Sequence, residues 1–392
     1  MGTVFTPPAA GATGAVHRPA AASAGFRPAA AGQAERSQGA SARLQRALRA
    51  LVAMPDGPPG VIAIVQRGGQ RKVYTAGIAN ATTRTPLSLG QHMRMASASK
   101  AFSGAVALSL VSRGVLHLGD TIGRVLPSLP RAWAAVTLRE LLQHTSGLPD
   151  FTASKAFHRR VRRAPRTPIA PRKLLGFVAG KRLQFIPGTQ YKYDNSDNIA
   201  VAMMARAATR KSYDQLLRNL VYRALGLART SLPAGSGMPR PYMHGYARSP
   251  GQPLEDVSTA FAGSLSWASG GLVSTPADWN TFIRGYAGAR LFSRAVQAQQ
   301  LRVIPGSSGP AGPGRNSAGL GIFRYRTRCG TVYGHTGNIL GYTQFAGATR
   351  TGRDSVTVSA TEQVNETHLA GVYRALRRAE GLAVCAALRP RR

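Results

Sequence analysis

Ser97-Ala98-Ser99-Lys100 opens a run, Ala101-Phe102-Ser103-Gly104-Ala105-Val106-Ala107-Leu108-Ser109-Leu110-Val111, that reads as a buried helix ending near Gly114. A serine and a lysine three positions apart at a helix start lie on one face, one turn apart. A serine hydroxyl is a poor nucleophile until a neighbour takes its proton. A lysine takes it only where burial or another cation lowers its pKa. The apolar run supplies that burial, and backbone N–H groups at a helix N-terminus can hold a developing oxyanion. Taken alone, the spacing also fits a capping serine beside a solvent-facing lysine, and only partner motifs elsewhere in the chain can separate the two readings.

Two such pieces occur downstream, in order. Tyr193-Asp194-Asn195 lies inside Pro187-Gly188-Thr189-Gln190-Tyr191-Lys192-Tyr193-Asp194-Asn195-Ser196-Asp197-Asn198. His335-Thr336-Gly337 lies inside Tyr333-Gly334-His335-Thr336-Gly337-Asn338-Ile339-Leu340-Gly341-Tyr342. Serine-x-x-lysine, then tyrosine-x-asparagine, then a basic residue with Thr-Gly resembles the motif set of the penicillin-recognising serine hydrolases. The resemblance runs from about Leu44 to about Ala387. It is most similar to the serine D-alanyl-D-alanine carboxypeptidases, with class C β-lactamases and related esterases as neighbours.

The resemblance implies an α/β (α+β) fold: an antiparallel sheet flanked by helices, with an inserted, mainly helical lobe. It makes Ser97 the nucleophile, Lys100 the group that takes or relays its proton, and Tyr193 the shuttle to the leaving group. That shuttle needs a phenol whose pKa is lowered by nearby cations, here Lys100 and His335. Asn195 would donate to the substrate's amide carbonyl and hold Lys100. Asp194 stands where the family more often has Ser or Ala, and should point away. His335 replaces the lysine of related β-lactamases; as a cation it would attract a substrate carboxylate, with Thr336 as hydrogen-bond partner. Gly337 would let substrate backbone lie along the strand edge. The backbone N–H groups of Ser97 and Asn338 would form the oxyanion hole. Arg324 and Arg326 are candidates for a further carboxylate contact, Trp267 is a core residue or a pocket wall, and His144 is structural. Cys329 and Cys385 would form a disulfide, which belongs to an oxidising compartment.

Composition adds a second theme. The 392 residues carry a net charge of +36, with 44 Arg against seven Lys, and 43% are hydrophobic. Such a surface attracts polyanions. The stretch Phe151 to Tyr193 contains no Asp or Glu and includes Arg159, Arg160, Arg162, Arg163 and Arg166. It reads as a solvated basic insert, or as a docking face for anionic cell-wall polymers. No zinc-finger, aromatic RNA-binding or basic-zipper signature accompanies the charge, so no specific nucleic acid is expected. None of the eight histidines has metal-ligand spacing, and no metal or cofactor is expected. No stretch reaches transmembrane length, and residues 1–42, rich in Ala, Gly and Pro, show no continuous apolar signal region and read as a disordered tail.

The serine hydrolase domain should span residues 43–388, as a monomer, with an amphipathic helix from Ser41 to about Met54. A hairpin is expected at 61–66 and 72–76 around Gly68-Gly69. The helical lobe should fall at about 115–255, and Thr275-Pro276 should cap a helix as the chain returns to the sheet. Strands are expected at about 319–326, 341–348 and 355–361, with a closing helix from about Glu366 to Gly381. The activity expected is D-alanyl-D-alanine carboxypeptidase action on cell-wall peptides, with β-lactams as acylating analogues, at the cell envelope or outside the cell. A β-lactamase or esterase of the same family is the alternative within this chemistry. A non-catalytic polyanion-binding envelope protein is the alternative outside it.

Overall fold

A computed structural model of the chain describes residues 29–248, 253–367 and 369–388. The first helix, α1 (Ala29–Val52), begins twelve residues before Ser41. Residues 29–42 are therefore helical rather than part of a disordered tail; residues 1–28 lie outside the described residues. Ala29, Ala30, Ala31 and Ala34 have the strongest helix preference of any residue type and follow Pro28; no proline separates them from the amphipathic segment, and the helix runs through Gly32 and Gly39.

The hairpin comes next as β1 (Gly60–Arg67) and β2 (Gln70–Gly77). Helix α2 (Ser99–Ser112) carries the serine motif, and every residue from Ser99 to Leu110 is buried. A helix buried on every side over this length is packed in the middle of a lobe. Phe102 stacks on Phe282 with ring centres 3.7 Å apart and on Trp279 at 6.1 Å. Within the lobe, α3 (Lys155–Arg163) inserts Phe157 against Phe151 and Phe177. Arg159, Arg162 and Arg163 are exposed on its other face. Arg160 instead donates to the carbonyls of Ala164 and Thr167, so this member of the basic cluster closes its own helix. Next, α4 (Ser196–Thr209) packs on α2. The chain returns through α5 (Pro276–Ala287), where the Thr275 side chain accepts from the Asp278 N–H and Pro276 stands in the first turn.

Six strands complete the sheet: β3 (Ile304–Pro305), β4 (Arg315–Ala318), β5 (Phe323–Thr327), β6 (Gly330–Ile339), β7 (Tyr342–Ala348) and β8 (Asp354–Ala360). Their order is β2-β1-β8-β7-β6-β5-β4-β3, antiparallel throughout, with Val61 opposite Ala360. Alternation assigns the faces. Val61, Ala63 and Val65 with Val356, Val358 and Ala360 pack under α1 and the closing helix α6 (Ala370–Ala387). Ser355, Thr357 and Ser359 turn to the opposite face, where α5 lies and Asn280 Nδ2 donates to Ser355 Oγ at 3.1 Å.

Three boundaries differ from expectation. The strand placed at 319–326 begins only at Phe323, because Gly319 and Gly321 turn the chain and Gly321 has φ 63°. Strand β6 was hidden by its own glycines, which weaken a strand pattern. An added Cβ on Gly334 would meet the Ala346 carbonyl oxygen at 1.8 Å, so the close approach of β7 requires glycine there. Helix α6 starts at Ala370 and runs on to Ala387, which brings Cys385 back to Cys329. The two form a disulfide with Cα atoms 5.1 Å apart and a separation of 56 positions in sequence. Closing that loop stabilises the fold by about 4 kcal/mol in the chain-entropy account. Cys385→Ser should therefore lower the denaturant midpoint well below wild type, and an unchanged midpoint would mean that packing alone holds α6 down.

Candidate active site

Ser97 sits in a single 3-10 turn, Ala96–Ala98, wedged between Met95 and α2. Ala96 has φ 51°, a left-handed conformation that costs a non-glycine residue free energy and persists only where the surroundings impose it. Strand β6 imposes it in part. An added Cβ on Gly337 would lie 2.4 Å from the Met95 carbonyl oxygen and 3.1 Å from the Ala98 nitrogen. Gly337 is thus needed for strand-to-turn packing, a demand separate from its expected role of clearing space for substrate. Strand β5 pairs with β6 only as far as Gly334, so residues 335–339 lie beyond that pairing and against the serine turn. The Asn338 side chain is committed to Thr343 Oγ1 at 3.0 Å and the Val364 carbonyl at 2.7 Å, leaving only its backbone for any role toward the turn.

Lys100 is fully buried while Ser97, Tyr193 and Asn195 are each part-exposed. The lysine is no solvent-facing side chain. Its Nζ lies 3.1 Å from Ser97 Oγ, 2.7 Å from Asn195 Oδ1 and 3.0 Å from the Ser269 carbonyl oxygen. Burial lowers its pKa from 10.5 to about 8, and the negative charges of Asp150, Asp194 and Asp197 hold it from falling further. The three contacts decide what the neutral amine does. Asn195 Oδ1 and the Ser269 carbonyl can only accept, so they take the two N–H groups of a neutral amine. The lone pair is then left facing Ser97 Oγ.

Asn195 is itself oriented. Its Nδ2 donates to Asp150 Oδ2 at 3.0 Å and Thr152 Oγ1 at 3.1 Å, and its backbone N–H donates to the same carboxylate oxygen. A carboxylate accepts and never donates when ionised, so it turns the Asn195 oxygen toward Lys100. Both amide hydrogens are engaged, and the expected donation to a substrate carbonyl is not what this geometry provides. Asp150 and Thr152 were not among the residues singled out from sequence; the only signal was Asp150 at the end of His144-Thr145-Ser146-Gly147-Leu148-Pro149-Asp150. Asp194 points away from Ser97, accepting from the Asp197 N–H at 2.9 Å at the start of α4.

The Tyr193 ring lies 4.9 Å from Lys100 Nζ. Its pKa is nevertheless raised, because burial outweighs the opposing influence of the Ser97 hydroxyl. Burial thus governs this phenol, and the second expected cation, His335, is itself buried. That histidine has no exposed surface, and burial first of all pushes its pKa down to about 3. Nδ1 lies 2.6 Å from the Thr336 carbonyl oxygen, which can only accept. The ring is therefore neutral with its proton on Nδ1 and its lone pair on Nε2. His335 is packed edge-on against Phe323, ring centres 5.0 Å apart, and its burial opposes the cation expected to meet a substrate carboxylate. Thr336 Oγ1 donates to the Pro310 carbonyl at 2.7 Å. The Tyr193 hydroxyl and His335 Nε2 are both buried without a hydrogen-bond partner among the described residues, on rings 6.4 Å apart. A proton donor and an acceptor are thus left unused beside the serine.

His144 ends a short helix in a left-handed conformation, φ 58°, with Nδ1 2.8 Å from Asp197 Oδ2. It too is buried and neutral, its pKa lowered to about 3 chiefly by burial. Its role is structural support beneath Tyr193, whose ring centre is 4.7 Å away. Trp267 is buried against Tyr213 with φ 35°. Arg324 donates to Ser317 Oγ at 3.2 Å, and Arg326 lines a cleft beside α1 and α6 rather than joining the serine cluster.

A family model described as beta-lactamase matches residues 44–380. The chain belongs to the beta-lactamase family. Among curated proteins it is similar to the D-alanyl-D-alanine-carboxypeptidase/endopeptidase AmpH of Escherichia coli, 25% identical over 253 residues, 64% of this chain and 63% of that protein. It is also similar to a D-aminopeptidase of Gluconobacter oxydans, 30% identical over half of this chain and 36% of that protein. The match thus spans less than two thirds of the curated relatives' length. Among solved structures, a D-stereospecific amidohydrolase from Streptomyces is 27% identical with TM-score 0.72, covering 82% of this chain and 94% of that one. A D-amino acid amidase from Ochrobactrum anthropi has TM-score 0.76 at 24% identity, covering 88% and 98%, a likeness of fold. The β-lactamase/transpeptidase-like fold and serine-hydrolase chemistry follow from these matches and the antiparallel sheet.

Proposed function

We propose that this serine hydrolase forms an acyl-enzyme on Ser97 while cleaving amide bonds beside a D-configured residue, of the kind that ends cell-wall peptides. The observation that carries the reading is the buried Lys100, whose neutral form aims its lone pair at Ser97 Oγ. In the forward step Lys100 takes the Ser97 proton as Oγ attacks the substrate carbonyl, and the backbone N–H groups of Ser97 and Asn338 receive the oxyanion. Tyr193, a neutral phenol held protonated by burial, passes a proton to the departing amine and is recharged from Lys100. Water then releases the acyl group by the reverse relay. The names of the relatives, a D-alanyl-D-alanine-carboxypeptidase, a D-aminopeptidase and a D-stereospecific amidohydrolase, share the D configuration and support that substrate class. The disulfide supports a place in an oxidising compartment, at the envelope or outside the cell.

One observation favours a substrate whose leaving group is uncharged. The position that was to hold a free carboxylate is a neutral, buried histidine. A peptide ending in free D-alanine should consequently react no more than a few times faster than its C-terminal amide. A charge-assisted hydrogen bond would instead separate them by roughly 10- to 150-fold. Steady-state kcat/KM for the matched pair decides it: a large preference for the acid restores the carboxypeptidase reading, and comparable rates place the enzyme with amidases and aminopeptidases.

A further inference from the structure

The chain carries a net charge of +36, and part of it gathers at a cleft whose lining includes none of the serine-site residues. A cleft of about 1020 Å³ runs between α1, α6 and the β5–β6 turn, and Arg43, Arg46, Arg326, Arg328, Arg377 and Arg378 line it. Arg377 is used internally, bonded to Glu380 and to the Ala311 carbonyl. The other five are exposed, and their guanidinium groups make no hydrogen bond or ion pair with the described residues. Five unneutralised guanidinium groups around one concavity repel one another, and a bound anion removes that penalty. Between them the floor is hydrocarbon, formed by Leu51, Met54 and Leu382.

Charge excludes the occupants nearest to hand. Residues 1–28 contain no Asp or Glu but do contain Arg18 and Arg27. The chain after α6 ends Arg389-Pro390-Arg391-Arg392. Neither end of the chain complements the cleft, and a second copy at +36 does so least of all. The cleft requires a ligand that is anionic at its rim and apolar at its floor. Guanidinium forks match phosphate oxygens bidentately, and a hydrocarbon floor is left wet by a bare polyanion but covered by an amphiphile.

We propose that this cleft is a docking site for an anionic phospholipid, with the phosphate headgroup between Arg43, Arg46, Arg326 and Arg328 and glycerol or acyl carbon over Leu51, Met54 and Leu382. It holds the enzyme on a bilayer surface while the serine stays free to work. Attachment through such a cleft is peripheral in kind, and among the described residues no helix is long and apolar enough to cross a membrane.

The test is co-sedimentation of the full chain with vesicles made of equal parts phosphatidylglycerol and phosphatidylcholine, and with vesicles of phosphatidylcholine alone. Binding should occur only to the first. Replacing Arg43, Arg46, Arg326 and Arg328 together by Ser should weaken it by about 100-fold or more, because each arginine at an anionic surface contributes roughly a fivefold factor. Covalent labelling by a fluorescent penicillin, which needs only the serine site, should match wild type and so prove the variant folded. Replacing Arg159, Arg162 and Arg163 of α3 by Ser is the control for net charge and should leave vesicle binding within about twofold, since these side chains lie on another surface. Equal losses in both variants would overturn the proposal, because binding would then follow overall charge. Inorganic polyphosphate binding with the same arginine dependence, but no binding to phosphatidylglycerol vesicles, would overturn it too, since the cleft would then be a polyanion site.

Discussion

A fluorescent penicillin is expected to form a single covalent adduct with the wild-type chain, as read by intact mass, and Ser97→Ala to abolish it. The strained Ala96, the Gly337 contact and the start of α2 fix Ser97 independently of its hydroxyl. The variant should therefore fold and bind while lacking the attacking atom. Loss of a serine nucleophile that works with its base as a unit costs about 10⁴-fold or more in turnover. Amide hydrolysis should fall to that degree, with the Asn338 side of the site and the disulfide undisturbed. An adduct that persists in Ser97→Ala at the wild-type stoichiometry would move the nucleophile elsewhere. Ser99 is the nearest alternative in sequence, yet it is fully buried and its Oγ accepts from the Leu272 N–H at 3.1 Å.

The residues that sequence could place were those fixed by local spacing. Ser97 and Lys100 are one turn apart because a helix starts there, and Tyr193 and Asn195 precede a helix by a few residues. Their convergence on one point is a matter of the fold, and the three-motif order was enough to anticipate it. The hairpin at β1 and β2 and the cap at Thr275 rest likewise on turn and cap chemistry legible in a few residues. What was not legible came from distant backbone. The Ser269 carbonyl on Lys100 is 169 positions away, and no side-chain pattern announces a carbonyl. Asp150 reaches Asn195 across 45 positions, through a turn whose composition reads only as loop.

The electrostatics failed for a single physical reason: charge state depends on burial, and burial is a property of the packed sheet. His335 looked like a cation because it replaces a lysine. In the sheet it lies on β6 beside β7, under Phe323, with Nδ1 turned to a carbonyl, and there the neutral ring is the stable one. Tyr193 was to be ionised more readily by neighbouring cations. One of those is neutral, and desolvation dominates the other. Helix α1 was cut short for a different reason: Ala-rich sequence is ambiguous between tail and helix until a partner such as α6 is there to pack on its C-terminal half.

Acylation is expected to rise with pH through about 8, the value to which burial brings Lys100 from 10.5. The active form sets the sign. A lysine with a depressed pKa is the charged ammonium below that value and the neutral base above it. At two units below the midpoint only about one hundredth of the enzyme carries the free base, so the rate there should be about 100-fold under its ceiling. Lys100→Ala should lower acylation by at least about 100-fold, as for a lost general base, and flatten the profile. Lys100→Arg should not rescue it, since a guanidinium stays protonated. Tyr193→Phe should lower the ceiling by a similar factor and leave the midpoint in place. Asp150→Asn separates positioning from proton transfer. Asp150 raises the Lys100 pKa, so its removal should move the midpoint to lower pH, and the lost carboxylate frees the Asn195 amide to rotate its oxygen away from Lys100. The ceiling should then fall while the profile shifts left. A midpoint indifferent to Asp150→Asn, together with wild-type rates in Lys100→Ala, would mean that the Ser97 proton leaves by another route.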